Sequence, residues 1–468
     1  MAEHRLSLAI NGRERLLEKR LVPFSTPGDG SSGEQPPHGL PNGNGAARLG
    51  PVAIVGLGYV GLPTALALLG GASQITGFDI SVDRLQDIEA GDVDLGDLDR
   101  ARLAKARSDD DFRLTSDSAT LAEADAVIVC VPTPVDEHHI PDLSALRSAC
   151  ETVVAHAHPG QTIILTSTSF VGTTRQLLVE PLQDRGLVAG TDVYVAFSPE
   201  RIDPGNADHL QRETPRVVGG ATTQCSLQAA RVIGQLTDSV YLVSSPEAAE
   251  LTKLYENIFR AVTLALANEF GDVCGTLGLD PIEVTLAAAT KPYGFLAAFP
   301  GPGVGGHCIP CDPHYLLWQL HGRNRPTPLI EQAMQSIHAR PARVVERAAE
   351  VLAADGRPLA GAKVIVVGVS YKAGVSDVRE SPALLIIDGL ARHGAHVGYH
   401  DSLVPVVETP DGPMRGVTAP AGADWDLAVI HVVHPDADYS WVRDCPRVLD
   451  ATYLFEGLLD SPAQRSVV

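Results

Sequence analysis

VAIVGLGYVGLPTALALL, residues 52–69, decides the fold. A short β-branched run leads into Gly56-x-Gly58-x-x-Gly61, and an apolar pattern of helical spacing comes next. Strand, glycine turn and helix in that order form the first unit of a dinucleotide-binding sheet. The glycines permit a tight turn and bring a pyrophosphate close to the helix N-terminus, whose unpaired N–H groups favour anions. A second apolar segment, ITGFDI (75–80), carries Asp79 at the spacing of an acidic residue on the adenosine ribose. A carboxylate there accepts from both ribose hydroxyls and repels a 2′-phosphate, so NAD is favoured over NADP. The candidate cofactor contacts around this turn are Gly56, Gly58, Tyr59, Val60, Gly61, Asp79 and Arg84.

Downstream, DAVIVCVPTP (125–134), QTIILTSTS (161–169) and DVYVAFSPE (192–200) read as further strands separated by helix-like stretches. This alternation predicts an α/β fold with a doubly wound parallel sheet. Each run ends in polar residues: Thr133, then Ser167 and Thr168, then Glu200. Ligands collect at the carboxyl ends of strands in open α/β sheets. Ser and Thr also cap helices and build turns, so each has a structural reading beside the functional one. A second, smaller α/β unit starts near Gly361, with AKVIVVGVSYKAG (362–374), HVGYHD (396–401), DLAVIHVV (426–433) and PRVLDAT (446–452) as strand-like runs. Its first turn lacks Gly-x-Gly-x-x-Gly, so no second dinucleotide is expected. Lys372, Arg379 and the short SYK turn suit a phosphate instead.

Between the two units, PEAAELTKLYENIFRAVTLALANEF (246–270) is helical. Pro246 suits the first turn, and Glu247 and Glu250 suit the positive end. Lys253 and Asn257 are four apart and share a face. A helical lysine ordinarily marks a solvated face, whereas asparagine inside a helix is unfavourable unless it has a task. Further on lies GPGVGGHCIPCDP (301–313), with four glycines and three prolines around Cys308, Cys311 and Asp312. Such a run is expected to interrupt regular structure and to present Cys308 on a loop.

Composition bounds the rest. The chain has 468 residues, 44% of them hydrophobic and 20% charged, enough for two or three cored domains. Lys+Arg 36 against Asp+Glu 57 gives −21, which argues against a general binder of nucleic acid or anionic membrane. The seven cysteines form no framework and read as reduced thiols of a cytoplasmic protein. No apolar run is long enough to span a bilayer, and MAEHRLSLAINGRERLLEKR lacks the apolar core of a signal peptide. Residues 25–48 are rich in Gly, Pro, Ser and Asn and read as disordered, with a short helix over 5–22.

Taken together, GLGYVGLP (56–63), VPTP (131–134), STSFVGTT (167–174), SPERIDPGN (198–206), ELTKLYEN (250–257), GPGVGGHCIPCDP and SYKAGVSDVRESPA (370–383) resemble, in order, the motifs of the nucleotide-sugar 6-dehydrogenases. Within that family the SPERxDPGN and GGHCIPxDP forms look most like UDP-GlcNAc or UDP-GalNAc 6-dehydrogenases, with UDP-GlcNAc favoured and UDP-ManNAc or UDP-glucose as alternatives. The resemblance implies a disordered tail (1–48), an NAD-binding Rossmann domain (49–243), a central helical and dimerisation domain (244–345) and a UDP-sugar-binding Rossmann-like domain (346–468). It implies a cytoplasmic homodimer or higher homo-oligomer acting in polysaccharide biosynthesis, with NAD as cofactor and a UDP-sugar as substrate.

The implied reaction is a four-electron oxidation of the sugar C6 alcohol to a carboxylate, consuming two NAD and one water. Lys253 and Asn257 would stabilise the alkoxide, Cys308 would hold the aldehyde as thiohemiacetal and then thioester, and Thr168, Glu200 and Asp312 would position or activate water. A Lys253 ammonium would favour the thiolate of Cys308 and Asp312 would oppose it. Thr133, Thr168 and Arg379 are implied on the cofactor, and Glu200, Arg201, Lys253, Asn257, Phe295, Gly303, Gly305 and Lys372 on the substrate. The chain departs from the family at Thr166, where relatives often carry Glu, at His338, where Asn is common, and at Tyr453, where many have Arg. Cys308 and Cys311 form a CxxC without a second cysteine pair, so no metal is expected. Cys311 then reads as a small apolar filler, with a redox partnership as the alternative. A two-electron dehydrogenase and an inactive nucleotide-sugar binder are the competing functions.

Overall fold

The computed structural model describes residues 40–41, 48–136, 138–201, 212–435, 437–455 and 465–468. The readings of 5–22 as a helix and of 25–48 as disordered lie outside these residues, but for 40–41 and 48. So does most of SPERIDPGN beyond Arg201. The chain divides into two compact units.

The N-terminal unit takes in Ser31–Glu256 and His314–Arg325. Its strands are Leu40–Pro41 (β1), Val52–Val55 (β2), Ile75–Phe78 (β3), Phe112–Thr115 (β4), Ala126–Val129 (β5), Thr162–Leu165 (β6), Tyr194–Phe197 (β7), Arg216–Gly220 (β8) and Ser239–Val243 (β9). They form a sheet in the order β1-β9-β8-β7-β6-β5-β2-β3-β4. From β4 to β7 all pairs are parallel, and the order reverses between β2 and β5. This is the doubly wound arrangement expected, with its ligand crevice at the carboxyl ends of β2 and β5. The four central strands β2, β3, β5 and β6 are buried along their whole length. That explains why they read as continuous apolar runs rather than alternating ones. Ile54, Leu57, Leu62, Ile128 and Ile164 anchor the core between sheet and helices. Strand β8 runs antiparallel to β7, a reversal that places its first residue, Arg216, beyond the carboxyl end of β7.

The C-terminal unit takes in Asn257–Pro313 and Pro326–Val468. Its strands are Lys363–Val367 (β10), His396–His400 (β11), the hairpin Val406–Thr409 (β12) and Gly412–Arg415 (β13), Leu427–Ile430 (β14), Val448–Asp450 (β15) and Arg465–Val467 (β16). The parallel sheet has the order β11-β10-β14-β15-β16. Helices Pro328–Ala354 and Pro382–Arg392 supply Val344, Ala348, Ile386 and Leu390 to a core with Val364, Val366 and Leu427.

The central helix runs Pro246–Leu277, a turn and more beyond the expected Phe270. Leu251, Tyr255, Phe259, Leu266, Phe270, Val273 and Leu277 leave one exposed apolar stripe along it. Among the described residues no helix is long and apolar enough to cross a membrane.

Candidate active site

At the first turn, Gly56 adopts φ 88° and its N–H donates to the Phe78 carbonyl at 2.9 Å. A Cβ on Gly61 would lie 1.8 Å from the Gly56 carbonyl oxygen, so only glycine lets the helix start this close to the strand. Helix Gly61–Leu68 has Val60 at its N-cap and no side-chain cap; Leu62 N donates to the Gly58 carbonyl at 3.2 Å and Pro63 has no N–H, so any anion here would meet the backbone of the glycine turn itself. A Cβ on Gly58 would meet no protein atom. Asp79, directly after β3, accepts the Leu57 N–H at 2.8 Å through Oδ2 and the Ser81 N–H at 2.9 Å through Oδ1. Arg84 Nε donates to the Leu57 carbonyl at 3.0 Å, and Tyr59 stands exposed beside the turn. Tight turn, helix end without a side-chain cap and half-buried carboxylate fit a dinucleotide.

The other strand ends of this unit carry polar groups. Thr133 is buried, and its carbonyl accepts from the Tyr315 hydroxyl at 3.0 Å. Thr166 donates to the Val129 carbonyl at 2.8 Å and lies 3.1 Å from Cys130 Sγ. Burial pushes the Cys130 thiol up to about 12, so it is an inert neighbour rather than a second nucleophile. Ser167 donates to the Val131 carbonyl at 2.8 Å, and Thr168 is half-buried at the same end. Glu200 is ion-paired with the buried Arg216 and accepts the Arg201 N–H at 2.8 Å. The Arg201 guanidinium turns instead to Glu256 at 2.6 Å and to the Pro215 carbonyl at 2.7 Å.

On the central helix the solvated-face reading of Lys253 is overturned: Lys253 and Asn257 are each 9% exposed. Glu247 sits in the first turn as expected, and both glutamates also have side-chain or backbone partners outside the helix. Glu250 is buried and accepts from Gly172 N, Thr174 N and Thr174 Oγ1 at 2.6–2.8 Å, while Glu247 pairs with Arg175 at 2.7 Å. Glu250 ties the helix start to the STSFVGTT turn, and Glu247 ties it to Arg175 directly after that turn. Burial still raises Glu250 above the usual range against those donors.

The expected cysteine loop is corrected too. Helix Cys308–His321 begins at Cys308 itself. Pro310 falls in the first turn, where its missing N–H has no intrahelical partner to lose, and only Pro313 removes a helix bond. Cys308 is exposed, whereas Cys311 and Asp312 are 3% and 1% exposed. None of the seven cysteines is in a disulfide, and Cys311 is buried. Asn257 Nδ2 donates to Asp312 Oδ2, which ties the central helix to the first turn of the cysteine helix. Ahead of Cys308, the loop leans on the turn after β10. A Cβ on Gly305 would come within 2.8 Å of the Glu380 carbonyl and Tyr371 Cβ. Gly306 donates to the Arg379 carbonyl at 3.0 Å. A Cβ on Gly303 would meet Pro382 at 2.8 Å. In the described structure the close approach these glycines permit is to protein.

In that turn Lys372 is half-buried, its carbonyl accepting from Ser370 Oγ at 2.9 Å, and the Arg379 guanidinium pairs with Asp377 at 2.6 Å. Phe295 is 44% exposed. His338 is exposed on its helix, and Tyr453 accepts from the buried Arg340 at 3.1 Å. Sequence reasoning missed Arg216, Asp401 and His434. Asp401 was signalled by its place directly after a strand, as Asp79 is after β3. It accepts Val369 N at 2.7 Å and Ser370 N at 3.2 Å, with His434 Nε2 at 3.1 Å. Burial pushes its carboxyl up, but His434 and the backbone donors outweigh that and hold it at about 2. Among the described residues no group of three or more His, Cys, Asp or Glu side chains could hold a metal.

Comparison with known proteins identifies three family domains along the chain. The UDP-glucose/GDP-mannose dehydrogenase family matches with its NAD binding domain over residues 51–249, its central domain over 247–337 and its UDP binding domain over 365–457. UDP-N-acetyl-D-mannosamine dehydrogenase of Escherichia coli K12 is 32% identical over 400 residues, covering 83% of this chain and 93% of that protein. NDP-N-acetyl-D-galactosaminuronic acid dehydrogenase of Ralstonia solanacearum is 31% identical, covering 82% and 90%. The solved UDP-D-ManNAc dehydrogenase of Pyrococcus horikoshii superposes with TM-score 0.80 at 28% identity, covering 89% of this chain and 98% of that one.

Proposed function

The chain belongs to the UDP-glucose/GDP-mannose dehydrogenase family, and on that premise we propose that it oxidises the C6 alcohol of a UDP-N-acetyl-hexosamine to the uronate. It is an NAD-dependent nucleotide-sugar dehydrogenase of the UDP-hexosamine type. The motifs alone favoured UDP-GlcNAc. The relatives, named for N-acetyl-mannosamine and N-acetyl-galactosaminuronic acid, support UDP-ManNAc as the first substrate to test.

NAD, held by the Gly56–Gly61 turn with Asp79, would supply the hydride acceptor for both oxidations. Lys253 and Asn257 stabilise the alkoxide formed when the C6 hydroxyl loses its proton. Cys308 Sγ adds to the aldehyde carbon, and the resulting thiohemiacetal is oxidised to a thioester. Water attacks the thioester carbon, the C–S bond breaks, and Cys308 leaves as thiolate while Glu200 or Asp312 takes the water proton. Thr168 orients that water. Lys372 serves the diphosphate, while Arg201, Phe295, Gly303 and Gly305 frame the sugar nucleotide. Thr133 and the Gly56–Gly61 turn serve the cofactor, and Arg379 is assigned to it by the family resemblance alone. The observation that carries the reading is an exposed Cys308 at a helix start, one turn from a buried Asp312 held by Asn257. A chain built only to bind would need none of the three. The exposed stripe on the central helix suits a second copy of the chain, hence a homodimer, and the product suits polysaccharide biosynthesis in the cytoplasm.

The test is a panel of UDP-ManNAc, UDP-GlcNAc, UDP-GalNAc, UDP-glucose and GDP-mannose with NAD, with products identified by mass spectrometry. The expected result is a uronate from an N-acetyl-hexosamine, with UDP-ManNAc giving the highest kcat/KM. No uronate from any of the three N-acetyl-hexosamines overturns the proposal.

A further inference from the structure

Arg216 is among the largest side chains that are fully buried, at 1% exposure. It opens strand β8, whose antiparallel register pairs Phe197 with Gly219. Carried three residues on, that register sets Glu200 across from Arg216. The two side chains, 2% and 12% exposed, form an ion pair through Arg216 Nη1 and Glu200 Oε1. Among the described residues, two charged or titratable side chains bear on Glu200 most directly. Arg216 comes from β8, and Cys130, at the end of β5, feels both charges of the pair. Arg201, next in sequence, gives Glu200 only its backbone N–H, since Glu256 of the central helix occupies its guanidinium.

A buried carboxylate far from a cation takes up a proton. A base that must receive a proton from water has to be ionised and aimed. We propose that Arg216 is a positioning residue for Glu200, fixing Oε1 and keeping the group a carboxylate so that it can take the proton of the hydrolytic water. The inference rests on the proposed role of Glu200 as that base. In the step it serves, the water oxygen bonds to the thioester carbon, the C–S electron pair leaves with Cys308, and the water proton passes to Glu200. The guanidinium keeps its own protons and touches neither substrate nor cofactor.

The experiment is a pH–kcat profile, 5 to 9, of R216Q, E200Q and the double variant, with NAD affinity as the check on folding. Removing the cation raises the pKa of Glu200, so the acid limb of the profile moves to higher pH. R216Q is expected to move it up by at least about one unit and, with Oε1 no longer held in place, to cut kcat at pH 7 about tenfold, most of that loss coming from the lost aim rather than from protonation. On the E200Q background R216Q should add nothing. A folded R216Q with an unmoved limb, or one that lowers kcat equally on both backgrounds, overturns the inference and leaves the role of Glu200 standing. Wild-type kcat in E200Q overturns both. If R216Q does not fold, wild type and E200Q still decide the matter. An acid limb that depends on Glu200 and lies below about pH 6 supports the ion pair's role, and one at or above pH 6 contradicts it.

Discussion

The first turns of the two sheets are built alike and used differently. After β2, Gly56 at φ 88° donates to Phe78, and Asp79, next along, accepts from Leu57. After β10, Gly368 at φ 77° donates to His400, and Asp401, next along, accepts from Val369 and Ser370. The strand–glycine–carboxylate frame is therefore the same. The difference lies in the helix each turn leads to. Gly61 starts a helix five residues after Gly56, with no side-chain cap, whereas the helix after Gly368 waits until Pro382 and is capped by Ser381. Asp79 stays half-buried, while Asp401 is sealed under His434, which in turn accepts the Gly374 N–H at 3.0 Å. Both carboxylates brace a turn, and of the two it is the Asp401 side chain that is wholly buried. A strand-end aspartate does not bind nucleotide by its position alone; it must be left open.

Substitutions at matching places should separate the two roles. Gly61→Ala, whose methyl would collide with the Gly56 carbonyl, should raise KM for NAD by roughly 100-fold or more as the turn is pushed aside. Asp79→Asn should raise it about 10- to 100-fold through weakened ribose contacts, with stability little changed. Asp401→Asn should leave KM for NAD alone but lower the unfolding temperature of the C-terminal unit by about 4–8 °C. That corresponds to about 2 kcal/mol, the linkage value of a carboxyl lowered from 3.8 to about 2. Because the folded value is depressed, this stability is present above about pH 4 and is lost as pH falls toward 2. Wild type and Asp401→Asn should therefore converge in acid, which urea titrations at pH 7 and pH 2 would show. A nucleotide phenotype in Asp401→Asn, or a purely structural one in Asp79→Asn, breaks the comparison.

Much of this was legible in the chain. The four buried central strands of the first sheet announced themselves as apolar runs, and Gly56-x-Gly58-x-x-Gly61 announced the turn. Strands β4, β8 and β9 were not read, because FRLT is part-exposed and RVVGG carries an arginine and two glycines. That arginine, misfit in an apolar run, was the signal for Arg216. The cysteine helix was hidden by prolines that count against a helix interior but not against its first turn. Lys253 read as solvated because burial of a helix face depends on what covers it, and the sequence of the helix does not contain that. Asp401 was overlooked because a carboxylate after a strand was weighed only where glycines flagged a dinucleotide.

The central claim is that one cysteine carries a sugar through two oxidations. The most direct measurement is NADH released per UDP-ManNAc consumed to completion, in wild type and in Cys308→Ala. Two NADH per sugar in wild type, with no uronate and at least about 1000-fold slower turnover in the variant, is the predicted result. One NADH per sugar in wild type, or undiminished uronate from Cys308→Ala, would contradict it.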